Sequence, residues 1–172
     1  MDTLKVELFT DEAQYKINNF DCDKTTLNKF LLEHLRRQHN GKILRAYVLI
    51  NHEAEPKVLG YYTLSGGSFE RSSLPSKTQQ KKIPYKNVPC VTLGRLAIDK
   101  TLHGQGWESM LVSHAMSVVY HASLAVGIHG MFVDALDDEA KQFYTSLGFI
   151  ELAGENGSSL FYPIQSIEKL FQ

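Results

Sequence analysis

The stretch that most constrains this chain is residues 91–109, VTLGRLAIDKTLHGQGWES. An apolar run, 91–98, ends in a charged turn, passes through Gly104-Gln105-Gly106 and enters a long segment with apolar residues at helical spacing. That order predicts strand, glycine turn and helix start. The first turn of a helix has unpaired backbone N–H groups and carries roughly half a positive charge, so it attracts phosphate. Glycine lets the backbone approach such an anion with no Cβ in between. The stretch therefore predicts an anion cradle for a phosphorylated cofactor. A tight turn with no ligand is the alternative, because a lone G-x-G is a weak signal.

At 172 residues and 43% apolar content, the chain can bury one core and is short for two, so a single domain over 1–172 is expected. Cys22 and Cys90 form no spaced pair and read as free thiols of a reducing, cytoplasmic compartment. The start, MDTLKVELFTDE, has no basic region followed by an apolar one, and no apolar run approaches the ~20 residues that cross a bilayer. His34, His39, His52, His103, His114, His121 and His129 make no ligand-like set, so no metal is expected.

Alternation of Leu4, Val6 and Leu8 predicts a strand over 4–9, followed by a short helix over 11–20. Asp23-Lys24-Thr25 offers cap chemistry for a helix reaching Asn40-Gly41. Its apolar face is Leu27, Phe30, Leu31 and Leu35, and its polar face Lys29, Arg36, Arg37 and His39. Residues 46–50 and 58–67 read as a hairpin, and 71–89, with no acid, as a long surface loop. A long helix follows the glycine turn, with Met110, Leu111, His114, Ala115, Val118, Val119 and Ala122 on one face. A buried strand over 129–136 precedes a short helix that opens on Asp137-Asp138-Glu139 and closes at Gly148. Strands at 149–152 and 160–162 flank a polar turn, 153–159, and 166–171 is a terminal helical turn. The order implies an α/β (α+β) fold, a mixed sheet with helices on its faces.

Two halves then stand together: the strand and G-x-G turn, and the later DDEAKQFYTSLGFIEL. Ala140, Phe143, Tyr144, Gly148 and Phe149 fill an A-x-x-F-Y-x-x-x-G-F pattern. The pair resembles the GNAT acetyltransferases, whose fold is a mostly antiparallel mixed sheet flanked by helices. Over nearly the whole chain it looks like the toxin branch that acetylates aminoacyl-tRNA. The carrying stretches include NFDCDKTTLNKFLLEHLRRQ, LGYYTLSGGSFER and GIHGMFVDALDDEAKQFYTSLGF. The resemblance implies acetyl-CoA, with Leu96, Ala97 and Ile98 pairing its pantetheine arm. Gly104, Gln105, Gly106, Trp107 and Ser109 would wrap the pyrophosphate, and Tyr144 would be the general acid. A phenol of pKa near 10 is still protonated at neutral pH, as an acid must be. The resemblance also implies a cognate ribbon-helix-helix antitoxin, operator DNA bound through it, and a homodimer.

The chain departs from the family pattern at three positions. His103 replaces Arg or Gln but still donates a hydrogen bond. Asp137 stands where relatives often carry Asn to hold the pantetheine amide. Glu108 replaces a final Gly or Ala and puts a carboxylate beside the pyrophosphate. At ~4 Å like charges repel by about 1 kcal/mol in water and ~4 kcal/mol at a surface-like dielectric, a loss of roughly 5-fold to 1000-fold in affinity. Glu108 is therefore expected to weaken acetyl-CoA binding, unless it turns to solvent.

The acceptor is read from where the charge lies. Overall the chain is net −1, yet residues 71–100 carry seven bases against the single acid Asp99, and 29–45 carry five against Glu33. Such patches attract a phosphate backbone. The residues expected at tRNA are Arg36, Arg37, Lys77, Lys81, Lys82, Lys86 and Arg95, with Tyr85, Phe143 and Phe161 as candidates for an amino-acid pocket. Two rival readings stand beside this one: an acetyltransferase for small amines or protein N-termini, and a binding module without catalysis.

Overall fold

A computed structural model describes residues 3–154 and 157–172. In chain order the elements are β1 (Lys5–Leu8), α1 (Thr25–Glu33), α2 (Leu35–Asn40), β2 (Arg45–Ile50), β3 (Val58–Glu70), α3 (Lys77–Lys81), β4 (Asn87–Ile98), α4 (Trp107–Ser123), β5 (Gly130–Asp134), α5 (Asp138–Ser146), β6 (Ile150–Glu151), β7 (Ser159–Pro163) and α6 (Ile164–Phe171). The strands form a seven-stranded sheet in the order β1-β2-β3-β4-β5-β7-β6. Antiparallel ladders join β1 to β2, β2 to β3, β5 to β7 and β7 to β6, while β4 and β5 run parallel. The chain gathers into two compact units: residues up to Ser65 with Gly94–Ala115, and Gly66–Leu93 with Met116–Gln172.

In the first unit, strand alternation sends Ala46, Val48 and Ile50 of β2 to one face with Tyr61 of β3. Phe30, Leu31 and Leu35 of α1 and α2 pack there, with Phe9 and Phe20. The opposite face carries Tyr47 stacked on Tyr62, whose hydroxyl hydrogen-bonds His114 Nδ1 of α4 at 2.6 Å. The helix expected to run to Asn40 is broken at His34 (φ −126°, ψ −30°), so it is two helices. His39 is buried, not on the polar face, and its Nδ1 accepts the Ala46 N–H at 3.0 Å. Burial lowers its pKa, which suits a neutral ring acting as acceptor. The helix expected over 11–20 does not form. Its backbone is tied to the chain before β3, with Lys16 N–H on Pro56 O (2.8 Å) and Val58 N–H on Lys16 O (3.0 Å).

In the second unit, Phe69, Leu74, Ile83, Val88, Cys90, Leu152 and Phe161 form one core cluster. The loop expected over 71–89 is instead built structure. A 3₁₀ turn (Arg71–Ser73) leads to α3, whose cap is reciprocal: Ser76 Oγ accepts the Gln79 N–H, and the Gln79 side chain accepts the Ser76 N–H. Arg71 closes the segment, its N–H on Lys86 O (2.7 Å) and its guanidinium on Ile83 O (3.0 Å). Glu155 and Asn156 of the expected turn lie outside the described residues. Among the described residues, no helix is long and apolar enough to cross a membrane.

Candidate active site

β4 pairs with β5 only from Val91 to Leu93, opposite Met131 to Val133, and then runs on to Ile98 without that partner. Just past this point the Arg95 N–H donates to the buried Thr63 hydroxyl (3.1 Å). Leu96 is half-buried and Ala97 and Ile98 are buried at the strand's end. Asp99 then starts a 3₁₀ turn (Lys100–Leu102). One of its carboxylate oxygens takes the Thr101 N–H (3.0 Å) and hydroxyl (2.8 Å), the other the Asp21 N–H (3.1 Å). Burial pushes the Asp99 pKa up, but these donors and Lys57 outweigh it and hold the carboxyl below its ordinary range.

His103 Nε2 lies 2.8 Å from Ile98 O, so this side chain, expected at the cofactor, folds the turn back onto β4. Gly104 (φ +74°) and Gly106 (φ +85°) adopt a left-handed backbone that other residues rarely take. A Cβ built on either would have no atom within 4 Å, so the space above the turn is open. The Met110 N–H closes on Gly106 O, and no acceptor among the described residues takes the amide protons of residues 104–109. Gln105 reaches back to Thr101 O, Trp107 and Glu108 are half-buried and Ser109 is exposed. Glu108 makes no ion pair among the described residues. An open turn with unpaired donors at a helix start fits a pyrophosphate.

In the second unit, Asp137 caps α5 by accepting the Ala140 N–H (2.8 Å). Tyr144 is 6% exposed, with its ring edge-on to Phe143 (5.1 Å) and Phe149 (5.2 Å). Its hydroxyl has no hydrogen-bond partner among the described residues, yet no buried side-chain polar atom is stranded, so it still reaches solvent. Burial raises its pKa, so the phenol is protonated well above neutral pH.

The basic residues divide. Arg36 pairs with Asp11 (3.1 Å), Arg37 hydrogen-bonds the His34 ring (3.0 Å) and Arg95 lies 3.8 Å over Phe30. Lys77, Lys81, Lys82 and Lys86 are exposed and in no ion pair among the described residues. Tyr85 is 72% exposed, while Phe161 is buried against Phe69. Among the described residues no group of three or more His, Cys, Asp or Glu side chains is arranged to hold a metal ion. Sequence reasoning missed Asp99 and Thr63, which shape the turn and strand. Asp-x-Thr ahead of a glycine turn is a local capping signal that marks Asp99.

This sheet, with a glycine turn heading a long helix, is the GNAT acetyltransferase fold. No protein-family model matches the chain. It is 28% identical over 133 residues to a tRNA-acetylating toxin of Mycobacterium tuberculosis (strain ATCC 25618 / H37Rv), covering 77% of each. It is 61% identical to AtaT complexed with acetyl-methionyl-tRNAfMet, at a TM-score of 0.94, covering 99% of this chain and 100% of that one. To the AtaT Y144F mutant toxin bound to the C-terminus of the antitoxin AtaR and acetyl-CoA, the identity is 54% and the TM-score 0.87, covering 98% of each. To the AtaT–AtaR complex bound to DNA they are 52% and 0.80, covering 98% and 99%. The chain belongs to the tRNA-acetylating toxins of the GNAT fold.

Proposed function

We propose that this chain is a toxin that moves acetyl from acetyl-CoA to the α-amino group of an aminoacyl-tRNA and so blocks translation. The observation that carries the reading is end-to-end similarity to AtaT solved with acetyl-methionyl-tRNAfMet. Acetyl-CoA supplies an activated acyl group as a thioester. Within this reading the backbone of Leu96, Ala97 and Ile98 holds the pantetheine arm, and one N–H there stabilises the oxyanion as it develops. The turn His103, Gly104, Gln105, Gly106, with Trp107, Glu108 and Ser109, receives the pyrophosphate. Asp137 joins the cofactor set from the head of α5. Tyr144 gives its proton to the departing thiolate; a protonated hydroxyl with no partner among the described residues supports this role, and one AtaT structure with acetyl-CoA carries a Tyr-to-Phe change. The acceptor α-amino group, with a pKa of about 7.7–8.0, is partly neutral without a dedicated base.

Phosphate contacts come chiefly from Lys77, Lys81, Lys82 and Lys86, which have no competing acid among the described residues. Arg36, Arg37 and Arg95 add to them from partnered positions. Glu108, beside unpaired amides, lowers affinity for acetyl-CoA. The partners are a ribbon-helix-helix antitoxin, operator DNA through it and a second copy of the chain, in the cytoplasm. The 172 residues work as one acetyltransferase domain, supported by the continuity of β3, β4 and α4 through both units.

The test is a cell-free translation system supplied with acetyl-CoA. Synthesis should stop on adding this chain and continue with Tyr144→Phe. Undiminished synthesis at saturating acetyl-CoA would overturn the reading.

A further inference from the structure

In the second unit, a cleft of about 100 Å³ opens beside α3 and the start of α6. Leu74, Ile150 and Phe161 give it an apolar side. Its polar side is Lys82, His129, Gln79 and Gln165, and among the described residues no carboxylate lines it. His129 is fixed by its backbone, N–H to Pro89 O (2.9 Å) and carbonyl to the Ile164 N–H (2.7 Å), with its ring nearly parallel to Phe161 (5.8 Å, 23°). Neither of its ring nitrogens has a partner among the described residues. The Gln79 side-chain oxygen accepts from Ser76 (3.2 and 3.1 Å), which leaves the amide hydrogens as its free end. The polar side thus offers an ammonium, an imidazole N–H and two amide groups, donors with no opposing acid.

Phe161 packs with Leu74 and Ile83, whereas its neighbour Tyr162 packs with Phe149 and through it Tyr144. Alternation along β7 therefore puts the cleft on the sheet face opposite Tyr144. It can position a ligand and takes no part in the chemistry. Anions bind where charged and neutral donors converge, and a nucleotide adds an apolar ribose edge to its phosphate.

We infer that this cleft is a phosphate subsite, in which Lys82, His129, Gln79 and Gln165 take a phosphate group of the RNA acceptor while the ribose lies on Leu74 and Ile150. This rests on the tRNA reading above, and it names a built subsite among otherwise diffuse phosphate contacts.

The experiment follows the His129 ring by NMR in the full chain while inorganic phosphate is added, with and without saturating tRNA. Wild type should show a saturable shift that tRNA abolishes. Lys82→Gln and Gln165→Glu, both changes at exposed side chains, should lose the shift and weaken tRNA binding roughly tenfold. No shift in wild type, or unchanged tRNA affinity in both variants, overturns the subsite. A phosphate shift that survives saturating tRNA but yields to an acidic peptide assigns the cleft to a protein partner and also overturns it. Acetyl transfer to tRNA, assayed on the same wild-type sample, separates the two claims. Transfer with no phosphate shift removes the subsite alone, and a phosphate shift without transfer removes the toxin reading alone.

Discussion

Tyr144 is held by rings and not by a hydrogen bond, which separates its chemistry from its packing. Removing the hydroxyl in Tyr144→Phe keeps the contacts to Phe143 and Phe149 and strands no partner. The account predicts a fall in kcat of about 10²–10⁴-fold, the usual weight of a positioned acid, with little change in melting temperature. The raised phenol pKa also fixes the pH profile. The rate should climb as the acceptor amine loses its proton, around pH 7.7–8.0, with no fall from Tyr144 at mildly alkaline pH. A drop in kcat there would place the acid elsewhere. Glu108 is the second residue with a clear sign. Glu108→Gly should tighten acetyl-CoA binding by roughly 5-fold to 1000-fold by calorimetry, and equal affinities would mean that the carboxylate faces away from the pyrophosphate. Both positions were singled out in the sequence because a motif marks them, and these two measurements decide their roles. His39 was not, because nothing local distinguishes a surface histidine from one that accepts the Ala46 N–H in the core.

At the scale of elements, the cradle depends on the turn that precedes it. Asp99 satisfies three donors from a buried position, so Asp99→Ala should cost about 1–3 kcal/mol in a denaturant melt and loosen the glycine turn. Both Asp99 and its neighbour Asp21 have depressed pKa values, that of Asp21 down to about 2. Groups depressed on folding contribute stability above their unfolded pKa of about 3.9, lost as pH falls through the folded value. Unfolding should therefore ease between about pH 4 and pH 2, and Asp99→Asn should flatten that slope. Gly104→Ala should strain the left-handed backbone by roughly 1–2 kcal/mol and weaken acetyl-CoA, with no clash to add. The main strands and the long α4 were legible from periodicity, whereas the break at His34 that divides α1 from α2 was not. Short polar elements were less so, although Ser76-x-x-Gln79 is a capping-box signature that announces α3. The 11–20 segment misled because its apolar residues Tyr15, Ile17 and Phe20 pack onto the core from an irregular chain, which local sequence does not distinguish from a short helix.

At the scale of the whole molecule, a chain of net charge −1 keeps four lysines between residues 77 and 86 in no ion pair among the described residues. Counterion release makes such contacts measurable. Each lysine replaced by Gln should flatten the dependence of log affinity for tRNA on log salt by ~0.7–0.9. Arg36, with its Asp11 partner, should contribute less. The charge segregation was visible in sequence; which cations are already engaged was not, since Asp11 and Phe30 reach Arg36 and Arg95 only through the fold. The central claim is acetyl transfer to a charged tRNA, and labelled acetyl-CoA incubated with bulk aminoacyl-tRNA tests it most directly. The account predicts label in the aminoacyl fraction, lost in Tyr144→Phe and increased at limiting acetyl-CoA in Glu108→Gly. Label on free amines or peptides, with none on tRNA from either the natural chain or Glu108→Gly, would contradict it.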